Sequence, residues 1–548
     1  MTSINETMPE KGLYKGTNWW GAFVIGLAGT ILVTGIAPYV VQGTGALGII
    51  LMGVMTIAGC FLCFCLAELA TMWPDRTGGI PGYATESFRP LVGDTVARHT
   101  GGVSGWAYWL GWFPVAPINV ILTASYLAVL FNFSPGHLVE PVGTTWGTPI
   151  GINIILICFA LLILIYIPSY LGIRLGAGFA TVLGILSMLP LTVMIFLPFF
   201  KPHSIHWSNV AGFHAPPHVV VTLTFVCAWF FPILWNVIAM EAAACYVGEC
   251  RGGARDAKIA LTAEGLYGMF IYIMTPLMFV AVLGVLLTSS DPLTLYVTYT
   301  EHIFGAGSWV RWFVGIPLIA ALSLSVLNAI MGVGRSLYQI SEDGLIPRWF
   351  QHRNRHGVPD YAMGFNVVCS MILVLLGSPL RIYIISNGGY LLSCALAFLG
   401  YFVYRQLRPD TPRPFRLPTV AKWFALAVFI IWAFIYFFGG WNSPKIILAN
   451  PHQGPGLYLL GLLIVALYAP LYWWRAWQDR RLAARQATAG APGGAVTTSV
   501  IGPGGPMPDG QSAPSPDGGT AGPPVAEAAG RADPVTGTEP PGEPPAAG

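Results

Sequence analysis

The chain has 548 residues, 55% of them apolar and only 9% Asp, Glu, Lys or Arg, where soluble domains carry about 25% charged residues. That balance excludes an ordinary water-soluble enzyme, and a net charge of +3 is too small to point to a nucleic-acid partner. A bilayer core takes about 20 apolar residues per helix, so twelve crossings would use about 240 residues and leave loops and tails of ordinary length.

The first eighteen residues are polar, with no cleavable apolar core, so no signal peptide is expected to be removed. Apolar runs bounded by charge, Pro or Gly then predict twelve membrane-spanning helices. They fall at about 19–42, 45–70, 104–132, 150–171, 177–200, 218–246, 258–288, 309–338, 362–379, 382–404, 420–440 and 456–474; these are spans 1 to 12 below. With the N terminus inside, alternating segments place 23 Lys and Arg on the inner side and 4 (Lys201, Arg311, Arg381, Lys445) on the outer. Inner loops attract basic residues, so the count of twelve and two cytoplasmic termini support each other. A multi-pass protein of the cell membrane is expected, all-α, with the bilayer as its main partner. From 487 to 548 there is no aromatic residue, and 27 of the 62 positions are Pro or Gly. Such a segment cannot bury enough surface to offset its ordering entropy, so 476–548 is expected to be a largely disordered cytoplasmic tail, and 1–17 a short cytoplasmic lead.

Two spans do not read as plain membrane helices. Span 1 contains Gly26, Gly29, Thr30, Val33-Thr34-Gly35-Ile36-Ala37 and Pro38. A tight helix crossing accounts for so many small residues; so does a helix broken near Val33 to Ala37, whose bare peptide groups would line a cavity. Span 6 contains Pro232, Trp235, Asn236, Ala239 and Glu241 deep in an apolar run. A carboxylate at that depth should face the bundle interior or a wet cavity. Interruptions at matching positions of two halves point to a transporter's binding site, with spans 1–5 and 6–10 (18–200 and 218–405) forming an inverted repeat and spans 11 and 12 appended.

Three stretches carry a resemblance. Ala67-Glu68-Leu69-Ala70 with Pro74, Gly78-Gly79 and Tyr83; Glu241 to Tyr246 with Gly248-Glu249 and Arg251 to Lys258; and Arg335-Ser-Leu-Tyr338 with Glu342-Asp343-Gly344-Leu-Ile-Pro347 are similar to motifs of the amino acid-polyamine-organocation (APC) superfamily. Together with the topology the resemblance covers about 15–475. It implies a 5+5 inverted-repeat fold with two extra helices and a permease that moves an amino acid or small organic amine by alternating access, with no cofactor. The chain departs from the family in span 1, where Val33-Thr34-Gly35-Ile36-Ala37 stands for the usual G-S-G-I-F, and at Ala239 and Pro81.

The resemblance implies a substrate site at Gly29, Thr30, Val33, Thr34, Gly35, Ile36, Trp235, Asn236 and Ala239. The carboxylate would meet free amides near Thr34 and Gly35, as anions do at helix N-termini, and the ammonium would meet released carbonyls. Trp235 would be a gate over the substrate or a packing indole; Asn236, a substrate contact or a backbone brace; Glu241, a proton-coupling acid or a structural one. Tyr108, Trp109 and Trp112 shape a pocket or simply pack. Ser323, Ser325 and Asn328 on span 8 are a possible ion site, although hydroxyls two apart point to different helix faces, so coupling to H⁺ or Na⁺ stays open. Glu68 with Arg335 would close an inner gate by ion pairing, or these charges only set topology and pair at the surface. Cys60, Cys63 and Cys65 have no His or second Cys pair near them in sequence, and read as packing residues and not a metal site. Two other readings stand beside the transporter. A membrane enzyme would need acids or bases gathered at one face, where only His203, His206, His214 and His218 cluster; the third is a transporter-like sensor.

Overall fold

The computed structural model describes residues 17–74, 79–171, 191–217 and 219–489, with Val182, Gly184, Leu186 and Met188. The expected tail beyond 489, the stretch Asp75–Gly78 and most of span 5 lie outside the described residues. What is described is almost wholly helical. Strand pairing among the described residues is confined to a two-residue antiparallel ribbon, Leu138–Val139 with Ile150–Gly151, between spans 3 and 4, and a single bridge between Thr17 and Cys250.

Among the described residues ten helices are long and apolar enough to cross a membrane: Trp19–Thr44, Leu47–Met72, Ile80–Phe131, Ile152–Leu171, Leu223–Cys245, Ala254–Thr288, Val310–Glu342, Pro379–Leu407, Ala421–Ile447 and Gly456–Gln486. Two shorter apolar helices, Leu191–Phe200 and Asp360–Val374, lie in predicted spans 5 and 9. Helices are the natural answer for such a sequence, because lipid offers no partner to a bare peptide group and a helix satisfies its own. Side chains such as Leu164 on span 4, Ile372 on span 9, Phe437 on span 11 and Leu463 on span 12 are exposed and apolar, as a lipid-facing surface should be.

Helix packing divides the spans into two groups. Spans 1, 2, 6 and 7 pack most extensively on one another, and spans 3, 4, 8, 9 and 10 pack among themselves; span 12 lies against span 10, and span 11 against both span 10 and span 6. The contacts between the groups run mainly from spans 1 and 6 to spans 3, 8 and 10. Between spans 1 and 2 the chain turns at Gly45 (φ 59°), and it enters span 7 through Gly253 (φ 52°); both are left-handed conformations that glycine adopts without steric cost.

Span 1 is interrupted. One helix, Trp19–Thr30, ends and another, Val33–Thr44, begins, with Ile31 and Leu32 in a turn between them. The interruption lies two residues earlier than the sequence pattern predicts. It is also tighter: the amides of Leu32, Thr34 and Gly35 donate to the carbonyls of Gly29, Ile31 and Leu32 at 3.0–3.2 Å, the i to i−3 pattern of a 3₁₀ turn. Span 6 is α-helical over Leu223–Ile238 and then 3₁₀ over Ala239–Cys245. A 3₁₀ helix rises about 2.0 Å per residue against 1.5 Å in an α-helix, so this half of span 6 is drawn out rather than unwound. Span 3 is bent where Phe113 and Pro114 separate Ile80–Trp112 from Val115–Phe131; proline removes a ladder donor there.

Candidate functional site at the crossing of spans 1 and 6

The two interrupted helices meet backbone to backbone. A side-chain carbon on Gly29 would fall on the carbonyl of Ala239, so only glycine permits the contact. Just beside it, the hydroxyl of Tyr272 on span 7 lies 3.1 Å from the Gly29 carbonyl and 2.8 Å from the Asn236 carbonyl. One phenol thus serves carbonyls of both interrupted helices. Sequence reading missed Tyr272, which is one of 22 tyrosines and carries no charge to mark it.

Below the crossing lies a cavity of about 290 Å³. Ile25 and Ala28 of span 1, Tyr108 and Trp112 of span 3, Ala242, Cys245 and Tyr246 of span 6, and Asn328 to Gln339 of span 8 wall it. Arg335, Arg353 and Pro359 also line it. Both helix groups therefore contribute to its walls. Pockets for small molecules have this apolar and aromatic lining with a few placed polar groups.

Glu241 is fully buried beside the cavity. Its Oε1 accepts from the hydroxyls of Tyr108 (2.9 Å) and Tyr390 (2.8 Å) and from the Trp112 indole N–H (3.3 Å), while its Oε2 has no partner. These donors come from spans 3 and 10, so Glu241 joins span 6 to the other helix group. Glu264 on span 7 is also fully buried, and sequence reading missed it as well. The signal was present: it is a carboxylate in the apolar run of span 7, six residues beyond Lys258.

The other predicted residues fall as follows. Trp235 is fully buried, donates its indole N–H to the Gly111 carbonyl (3.1 Å) and packs on Tyr383 at 4.8 Å between ring centres; it does not line the cavity. Asn236 donates to the Pro232 carbonyl (2.9 Å) and its Oδ1 has no partner. Thr30 is buried with an unpartnered hydroxyl, and Thr34 returns its hydroxyl to the Ile31 carbonyl (2.8 Å). Val33 and Ile36 are buried core. The amides of Thr34 and Gly35 are not free donors, because the 3₁₀ turn uses them; here the structure corrects the expectation of a carboxylate-binding turn.

On span 8, Ser325 donates to the Ala28 carbonyl (2.8 Å) and Asn328 to the Ile25 carbonyl (3.3 Å), while Asn328 also accepts from Tyr246 (2.7 Å). Ser323 bonds back to Ile319 of its own helix. The three residues are thus not brought to one point: helical spacing turns Ser323 away from the other two.

The predicted Glu68–Arg335 pair is also corrected. Glu68 is fully buried and its Oε1 lies 3.0 Å from the guanidinium nitrogens of both Arg405 and Arg413. Its Oε2 accepts from Tyr401 (2.9 Å) and the Leu417 amide (2.8 Å). Arg335 instead lines the cavity. The pairing follows the fold: span 2 packs beside span 10, and the loop after span 10 brings Arg413 back over Glu68. All nine cysteines are free thiols, seven of them buried.

A multi-pass helical bundle with a cavity at two interrupted helices is the architecture of a membrane permease. A model of the amino acid permease family matches residues 18–467, and the chain belongs to that family, within the APC superfamily. It is similar to the polyamine transporter PUT1 of Oryza sativa subsp. japonica, at 23% identity over 64% of this chain and 60% of that one. It is likewise similar to the branched-chain amino acid permease BcaP of Bacillus subtilis (strain 168), at 24% over 85% of this chain and 95% of that one. A third relative is a putative arginine/ornithine antiporter of Escherichia coli (strain K12), at 24% over 58% and 64%. The match thus spans less than two-thirds of the length of PUT1 and of that antiporter.

Proposed function

We propose that this protein is a secondary transporter that moves an amino acid or a small organic amine across the cell membrane by alternating access. Its N and C termini would be cytoplasmic, and twelve spans would include a 5+5 inverted repeat. The observation that carries the reading is the cavity itself: its walls come from both helix groups and it ends at the crossing of spans 1 and 6. Rigid-body movement of spans 1, 2, 6 and 7 against the rest would close it and open another on the far side, the rocking expected when a site lies between two packed units.

The chemistry of the walls favours an amine. Tyr108 and Trp112 offer ring faces for a cation, the buried Glu241 carboxylate lies behind them as their hydrogen-bond acceptor, and the bonded Thr34 and Gly35 amides offer no donor to an anion. A substrate carboxylate would meet Arg335 and Arg353 in the cavity wall. Trp235 then serves as the closed gate on the side away from the cavity, and Ser325 and Asn328 hold span 1 to span 8.

The test is uptake by purified protein in liposomes, with labelled branched-chain amino acids, basic amino acids and polyamines under imposed pH or Na⁺ gradients. Saturable uptake of at least one class is expected. Failure of all of them, with turnover of a lipid-linked substrate instead, would overturn the reading.

A further inference from the structure

The three fully buried acids among the described residues, Glu68, Glu241 and Glu264, have three different surroundings. Glu68 has two guanidiniums and two further donors around it. Glu241 has three hydroxyl or indole donors on one oxygen and no cation. Glu264 has the least: Oε2 accepts the Ala243 amide at 2.8 Å, and Oε1 is buried with no partner. Taking a lone carboxylate out of water costs several kcal/mol or more unless a counter-charge or a proton neutralises it.

The surroundings of Glu264 hold no counter-charge among the described residues. From span 1 the carboxylate meets Gly26, where a side-chain carbon would lie 2.6 Å from Oε1. Span 2 presents the thiols of Cys60 and Cys63 near the same turn of span 7, and the Cys63 thiol donates to the Met240 carbonyl. Span 6 presents Ala243 and, two residues earlier on the same 3₁₀ segment, Glu241. On span 7 itself, Tyr267 turns to Thr192, and Lys258, nearly two turns away, sits over the Phe415 ring.

We propose that Glu264 is a proton-binding site, neutral when spans 1, 6 and 7 are packed as seen here, and that its proton is the one exchanged in coupled transport. Binding is a simple transfer of H⁺ to Oε1 with no other bond changed. Losing that proton leaves an anion with one donor. A second donor is available only if span 1 or the 3₁₀ segment of span 6 shifts to present another amide, so ionisation biases the packing of the helices that carry the substrate crossing. Glu264 is suited to this because it touches spans 1 and 6 within one helix group, whereas Glu241 bridges the two groups. The coupling step rests on the transporter reading; the proton site does not.

The test is infrared difference spectroscopy of the full-length protein in lipid, between mildly acidic and mildly alkaline buffer in H₂O and D₂O, with the proton as the only ligand. A buried carboxylic acid C=O band that vanishes as the pH rises is expected. It should fall to baseline in Glu264→Gln and persist in Glu241→Gln. Persistence of the full band in Glu264→Gln would overturn the assignment. Should Glu264→Gln not fold, Glu264→Asp must retain the band at a shifted frequency; an unshifted band would also overturn it. In liposomes, Glu264→Gln should lose at least tenfold of the accumulation driven by a pH gradient, and undiminished accumulation would sink the coupling role. Absence of any uptake by the wild type, with the band intact, would retire the transporter reading and leave the proton site standing.

Discussion

Gly29 of span 1 and Ala239 of span 6 are in direct main-chain contact, with the Ala239 carbonyl filling the volume that a side chain on residue 29 would need. The contact holds the two interruptions together, so the smallest possible enlargement is informative. Gly29→Ala must push span 6 away from span 1, an overpacking that costs about 1–3 kcal/mol. A lower melting temperature in detergent, together with uptake reduced at least tenfold, is expected; wild-type values for both would show that the crossing yields easily.

Tyr272 carries the same crossing from the side of span 7. Removing its hydroxyl leaves the Gly29 carbonyl with only the Leu32 amide as donor and takes a donor from the Asn236 carbonyl. Tyr272→Phe preserves the ring and costs about 0.5–1.5 kcal/mol for the lost hydrogen bonding, since both carbonyls keep an amide donor. Thermal unfolding measures that cost. Uptake should fall more than unfolding alone explains, because the lost hydroxyl is the link between both interrupted helices. Equal uptake in the mutant would make Tyr272 a packing residue only.

Much of this was legible in the sequence, for a physical reason: lipid forces apolar runs into helices, so run length and the spacing of charge expose the spans without regard to tertiary detail. Span 1 and span 6 could be singled out because Gly29, Gly35, Pro38, Pro232 and Glu241 are costly or unusual in a plain membrane helix. What the residues alone did not reveal is how the chain resolves an interruption. Leu32, Thr34 and Gly35 can leave their amides bare or turn them to i−3 carbonyls with the same sequence, and the choice is made by neighbours such as Ala239 and Tyr272. The partner of Glu68 was hidden likewise. Arg335 and Arg405 both lie near the basic end of the bundle, and only the packing of span 2 beside span 10 selects between them. Glu264 was overlooked because no motif surrounds it, although its depth in span 7 marks it as plainly as that of Glu241.

Trp235 ties span 6 to the Gly111 carbonyl of span 3 and lies on Tyr383 of span 10. Two substitutions separate these contacts. Trp235→Phe keeps an aromatic face and loses the hydrogen bond, worth about 0.5–1.5 kcal/mol; Trp235→Leu loses the ring contacts too, with about 3 kcal/mol of buried surface and cavity at stake. If the indole is a gate, initial rates of uptake should drop severalfold in Phe and far more in Leu. A Leu variant that transports normally would remove Trp235 from the gate.

The geometry of span 8 leads to a prediction about ions. Ser325 and Asn328 already occupy the Ala28 and Ile25 carbonyls, and Ser323 bonds within its own helix. A sodium site needs several oxygens converging on one point, and these oxygens do not converge. Replacing Na⁺ by K⁺ on both sides of the liposome membrane should therefore leave initial uptake unchanged. A tenfold loss in K⁺ would mean that Ser323 and Ser325 rearrange around the ion.

Glu68 anchors the loop between spans 10 and 11. Arg405 donates to the carbonyls of Leu417 and Pro418 while its Nε faces Glu68, so one carboxylate and one guanidinium hold both ends of the 408–420 segment. Removing one member of a buried pair costs about 3–5 kcal/mol because the other charge is left unpaired. Glu68→Gln strands two guanidiniums and should reach that range. Arg405→Gln leaves Arg413 on the carboxylate and should cost less. The double variant should be less destabilised than the sum of the two, since neighbours sharing one network are not additive. Proteolysis supplies a local readout, because Arg408 and Arg413 each precede proline and only Arg416, before Leu417, is an open tryptic site in this loop. Cleavage after Arg416 should accelerate in Glu68→Gln relative to the wild type. If cleavage stays slow while the protein as a whole loses stability, Glu68 would be acting through span 2 alone and not as the anchor of the loop.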